Sequence, residues 1–189
     1  MNQNKSIKVL IAINILIYVL VGLTSTSFMD FSAPLLISWG GLTNNIYSSY
    51  EYWRLFTSMF LHGDIQHLLF NMYCLYMIGT SLSRFISDQH FLLIYFVSGL
   101  SSSFASSLLG NYDVSIGASG AIFGVAGFYM MLLMKLKKEN QHLDINIFGN
   151  IGLFLIVNLA FGFMMPGIDN YAHLGGLIMG VIAFFGLKK

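Results

Sequence analysis

Charge is what this chain has least of. Asp, Glu, Lys and Arg make up 9% of its 189 residues, against about 25% in a soluble domain. So little charge cannot cover a globular surface, while 56% of the residues are hydrophobic and mean hydropathy is +0.72. Most of the outside must therefore face lipid. Large basic clusters are also missing, none exceeding three residues, and net charge is only +1. Binding to nucleic acid accordingly has no electrostatic footprint. Cysteine occurs once, as Cys74 within an apolar run, which excludes an internal disulfide.

What is present is a series of apolar runs. They predict membrane helices over about Val9–Thr24, Ile65–Leu82, Phe91–Leu109, Ser119–Leu136, Ile145–Met165 and Tyr171–Leu187. The first is short, but the stem of Lys8 can snorkel and extend it. Met1–Lys8 followed by an apolar run also has the outline of a signal peptide. The residues after Gly22 make a weak cleavage site, so a retained first span is expected. The expected fold is an all-α polytopic membrane protein with six transmembrane helices in a single domain, 1–189. Neither a further soluble module nor a seventh span is expected.

The basic residues support this count. Lys5, Lys8, Arg84, Lys135, Lys137, Lys138, Lys188 and Lys189 fall on the side of the termini, and only Arg54 falls on the other. The bias predicts cytoplasmic termini in a multi-pass protein of the plasma membrane. The connection 25–64 is long and rich in aromatic residues, including both tryptophans, Trp39 and Trp53. Such residues fit an element folded into the outer membrane interface, or an exported loop with ordinary aromatic packing.

Polar residues within the runs are costly and hence informative. Ser119 opens the fourth run and His173 lies near the start of the sixth; both runs descend from the outer face. His67 and Asn71, spaced i,i+4, share one face near the outer end of the second run, and His62 precedes them. A zinc site of His62, His67 and His173 would lack an acidic or thiolate ligand and the general base of a metalloprotease, so no metal is expected. Gly120, Gly124 and Gly127 line one face of the fourth run, and Gly176 and Gly180 one face of the sixth. If these small faces meet, Ser119 and His173 come together at the outer end of the contact. The pair then reads as a nucleophile with its base, or as a hydrogen bond that merely holds two helices. Phe123, one turn below Ser119, is placed to stack under the imidazole. No carboxylate occurs in the apolar part of either run, so a hydrolase built here is a dyad.

The combination of Trp53-Arg54, His62 to His67 with Asn71, Gly117-Ala118-Ser119-Gly120 with Gly124, and Ala172-His173 with Gly176 and Gly180 resembles the rhomboid intramembrane serine proteases. The likeness extends over nearly the whole chain, in order and spacing. It implies Ser119 as nucleophile and His173 as general base, with His67, Asn71 and the Ser119 N–H around the oxyanion. His62 and Gly117 would shape the site, and Trp53 and Arg54 would hold the first loop. It further implies a minimal six-helix bacterial form without a cofactor, whose substrates are membrane-spanning helices cut near the outer face. Some family members carry tyrosine where this chain has Phe123; the ring stack is kept and a hydroxyl contact is lost.

Substrate entry needs an opening between helices. Phe161, Phe163, Met164 and Met165 end the fifth run beside Pro166-Gly167, with Phe70 and Cys74 of the second run expected opposite. These residues form a candidate gate, or simply lipid-facing bulk at a helix stop. Two rival functions are a helix-binding pseudoprotease that does not cut, and a small channel or transporter. The channel needs polar groups through the full membrane depth, whereas the inner halves of the fourth and sixth runs are nearly all apolar.

Overall fold

The computed structural model describes residues 4–25, 27–44, 46–139, 145–164 and 167–187. Among these the chain is all-α. Its helices are α1 (Lys5–Leu23), α2 (Ala33–Ser38), α3 (Ile46–Ser49), α4 (Arg54–Thr57), α5 (Ile65–Leu82), α6 (Asp88–Leu109), α7 (Ser119–Lys138), α8 (Ile145–Met164) and α9 (Asn170–Gly186), with a 3-10 turn at Ser58–Phe60. The apolar runs correspond to α1 and α5 to α9. Two starts move outward, to Lys5 and Asp88, because a polar residue is well tolerated in a first turn whose N–H groups need outside partners. Ser87 supplies one such partner by accepting the His90 N–H.

By length and composition, three of the described helices are long and apolar enough to cross a membrane: α1, α6 and α7. Six were expected. The apolar run of α5 is diluted by Gln66, His67 and Asn71, the last two of them expected site residues. α9, and α8 counted from Gly149, are apolar but shorter. Outward-facing side chains such as Leu16 and Leu23 on α1, Tyr73 on α5, Ile156 on α8 and Phe185 on α9 are exposed. An apolar surface this continuous is suited to lipid and not to water.

α7 is the central helix: 72% of its apolar window is buried, against 39% for α1 and 44% for α6. Small residues allow this. A Cβ on Gly176 would strike the Gly120 carbonyl, and one on Gly180 the Gly124 carbonyl, so the α7 and α9 backbones touch. Gly127 lies against Leu177 on the same seam. The expected glycine faces therefore do meet. α6 closes the third side with a serine row absent from the sequence reading: Ser102 fills the space beside Gly120, and Ser98 that beside Gly124.

The segment before α5 is folded. Arg54 donates from Nη1 to the carbonyls of Ile37 (2.6 Å) and Gly41 (3.0 Å), and from Nε and Nη2 to the Glu51 carboxylate (3.0 Å each). Its guanidinium lies 4.5 Å from the Trp53 ring centroid. These bonds satisfy a cation that is itself buried. The hydrogen bond and charge of Arg54 hold the Glu51 carboxyl below its usual range. Phe28, Met29, Tyr50, Tyr52, Trp53 and Phe56 remain exposed along the loop.

Candidate active site

Two local devices place the start of α5. Backbone bonds from Phe31 to Gly63 (2.7 Å) and from Ile65 to Met29 (3.2 Å) tie it to the first loop. Asp64 then caps the helix by accepting the His67 N–H at 2.8 Å. His67 and Asn71 consequently project from the first turns of α5. The His62 ring meets the His67 ring edge-on, with centroids 4.9 Å apart. Burial, with the neighbouring His67 adding to it, holds His62 well below the ordinary imidazole range and therefore neutral.

The start of α7 is placed from the other side. Leu42 and Ser115 exchange two backbone bonds, of 3.1 and 2.8 Å, and the Gly117 N–H donates to the Ser58 carbonyl at 2.9 Å. Gly117 has φ +118, in the region that favours glycine, and a Cβ there would stand 2.7 Å from His67 Nε2. Only glycine lets the chain turn here and pass this close to α5. The next residues, Ala118 and Ser119, begin the helix.

At the outer end of the α7–α9 seam, the Ser119 hydroxyl and His173 Nε2 lie 3.0 Å apart. With Nε2 accepting from the hydroxyl, the ring proton resides on Nδ1, which has no hydrogen-bond partner among the described residues. Phe123 stacks on the imidazole with centroids 4.3 Å apart and planes at 13°. The expected ring stack is thus present, and it restrains the ring where a third acid would otherwise do so. Asn71 is buried, borders the same space, and its Nδ2 is unpaired among the described residues. A cavity of about 820 Å³ joins Ser119, His173, His67 and Asn71 to Gly117 and to Ser102 of α6. Each water occupies about 30 Å³ in the liquid, so hydrolytic water has ample room.

Asp169 also contributes to the site, although the sequence pattern gives it no candidate role. Its carboxylate accepts the Ala172 N–H at 2.9 Å, capping α9. It also accepts the hydroxyls of Ser115 (2.6 Å) and Ser106. One side chain thereby joins α6, the segment leading into α7 and the helix that carries His173. The available signal was an aspartate three residues ahead of Ala172 at the head of an apolar run.

The expected gate residues separate. Phe70 and Cys74 of α5 and Phe161 of α8 line the cavity, although Cys74 is buried. Phe163 and Met164 are exposed and do not border it. Met165 and Pro166 lie outside the described residues.

A family model described as Rhomboid domain matches residues 49–189, and the chain belongs to the rhomboid family. The Rhomboid protease GluP of Bacillus subtilis (strain 168) is 38% identical over 182 residues, 95% of this chain and 34% of that protein. RHOMBOID-like protein 1 of Arabidopsis thaliana is 38% identical over 139 residues, 72% of this chain and 34% of its own length. Rhomboid protease AarA of Providencia stuartii is 30% identical over 199 residues, covering 92% of this chain and 69% of that protein. The chain spans about a third of the length of the first two. Family and fold together describe an all-α, multi-helix membrane protein of the rhomboid family.

Proposed function

We propose that the protein is an intramembrane serine endopeptidase whose nucleophile is Ser119 and whose general base is His173. The observation that carries this reading is the 3.0 Å approach of the Ser119 hydroxyl to His173 Nε2 beside a cavity of about 820 Å³. In this reading the single domain 1–189 spans the plasma membrane six times, with α5, α8 and α9 completing the set begun by α1, α6 and α7. Both termini are cytoplasmic, as the distribution of lysine and arginine favours. In lipid α5 is supported by its contacts with α1 and α7, and the short α9 by its contacts with α6 and α7.

His173 Nε2 takes the Ser119 proton as Oγ attacks the scissile carbonyl. Negative charge then develops on the carbonyl oxygen, facing Asn71 Nδ2, His67 and the free N–H of Ser119 at the positive end of α7. As the tetrahedral species collapses, His173 returns its proton to the leaving amine and an ester remains on Ser119. Water, deprotonated by the same imidazole, adds to the ester; the acid product leaves and the hydroxyl regains its proton. Neutral His62 and the Phe123 ring keep the surrounding wall fixed. Substrates are transmembrane helices cut near the outer face, at a small residue where the helix is weak. The lipids around the exposed helices hold the substrate in the plane of the site.

The inner length of α7 is closely packed, and its buried face from Val125 to Leu133 is apolar apart from Tyr129. That floor disfavours a conduction path. The deciding experiment reconstitutes the purified protein with single-span reporters and compares it with Ser119→Ala. Cleavage by the wild type and none by the mutant is expected; undiminished cleavage by the mutant overturns the proposal. An intact reporter with both proteins would indicate a helix-binding protein that does not cut.

A further inference from the structure

Asn158 interrupts the apolar face of α8 and borders the same cavity as Ser119 and His173. Its Nδ2 donates once, to the Phe154 carbonyl one turn back in its own helix, at 2.8 Å. Its second N–H and its Oδ1 make no hydrogen bond among the described residues. An amide at this depth with half its capacity unused is costly unless something else completes it.

Helix register gives its height. A Cβ on Gly162 would strike the Asn170 side chain, so these two residues touch where α8 and α9 meet. One turn further in, α8 presents Asn158 and α9 presents His173. One turn further again, the Phe154 ring lies 5.5 Å from Phe123, which itself stacks on His173. Asn158 is therefore bracketed at the level of the Ser119–His173 pair. The walls differ: α5 contributes His67 and Asn71, and α8 contributes Asn158.

We propose that Asn158 is a substrate-positioning residue, whose carboxamide hydrogen-bonds the main chain of the unwound substrate segment beside the Ser119–His173 pair. This inference rests on the protease reading above. A helix that opens in the membrane frees N–H and C=O groups, each of which is expensive without a partner. A carboxamide offers one donor and one acceptor, the same pair that a neighbouring strand would present. It carries no charge and reads no side chain, so it suits a site that accepts varied sequences. Asn71 faces the oxyanion, while Asn158 holds the chain that carries it.

The test uses the full protein in liposomes with a single-span reporter, alongside a small fluorophosphonate that has no peptide main chain. Asn158→Ala should lower kcat/KM for the reporter about tenfold, mainly through KM, the size of one lost hydrogen bond at a buried site. Fluorophosphonate labelling of Ser119 should stay within about twofold of wild type. Asn158→Gln, which keeps the amide, should recover part of the loss. Unchanged kcat/KM in Asn158→Ala overturns the inference, as does labelling that falls in step with cleavage, since that marks a purely structural role. A wild-type protein that neither cleaves nor labels overturns the protease reading itself.

Discussion

The carbonyl of Gly120 occupies the space in which a side chain on Gly176 would begin. Ser119 precedes Gly120 by one residue and His173 precedes Gly176 by three. The closeness of the two backbones therefore sets the 3.0 Å distance between hydroxyl and imidazole. The geometry of this pair is a property of a packing seam, and the seam depends on two hydrogen atoms in place of two methyl groups.

Gly176→Ala should consequently act as an activity mutation even though it touches neither reacting atom. The added methyl group forces α9 away from α7, and a displacement near 1 Å costs about a hundredfold in rate. Gly186→Ala is the matched control, since nothing lies within 4 Å of a Cβ there. Reporter cleavage should fall about a hundredfold for the first and stay near wild type for the second. Circular dichroism should report a helical protein in both cases.

Asn71 has an unpaired Nδ2, which is costly to bury. In the proposed mechanism the oxyanion supplies that partner. Asn71→Ala should lower kcat by about 10²–10³-fold, or about 2.7–4 kcal/mol. Steady-state kinetics on a membrane reporter measure this, and a change of about twofold would assign Asn71 to packing instead.

The long helices and the Ser119–His173 pairing were legible in the sequence because each leaves a local trace: an apolar run, a glycine face, a polar residue at the wrong depth. The helix ends were legible to within a turn. The α6 serines and the bonds of Asp169 to Ser106 and Ser115 left no comparable trace. Ser98 and Ser102 gain meaning only because Gly124 and Gly120 arrive opposite them, and sequence spacing along α6 contains nothing about α7. The small helices α2, α3 and α4 run four to six residues, too short for periodicity to register. They are held by tertiary bonds such as those from Arg54 to Ile37 and Gly41.

Asp169 should prove to be the principal anchor of α9. Asp169→Ala removes the cap on Ala172, worth about 0.5–2 kcal/mol, and leaves the hydroxyls of Ser106 and Ser115 without their acceptor. Lower thermal stability in detergent is expected, together with slower fluorophosphonate labelling of Ser119 as His173 loses its fixed position. Asp169→Asn keeps a capping oxygen and should restore most of the stability. Equal losses for both variants would show that the negative charge matters more than the hydrogen bonds.

The first loop should carry an acid-sensitive contribution of its own. Pairing with Arg54 holds the Glu51 carboxyl below its usual value of 4.5. The folded protein thus binds fewer protons at this site than the unfolded chain does. The stabilisation is fully present above that usual value and is lost as pH falls through the lower folded one. Glu51→Gln removes the charge at every pH, so the comparison isolates this pair from other acid effects. Thermal unfolding in detergent should find wild type more stable than Glu51→Gln at about pH 6, with the gap closing as pH falls progressively below 4.5. No gap at either end of the range would mean that Arg54 draws its stability from the Ile37 and Gly41 carbonyls alone.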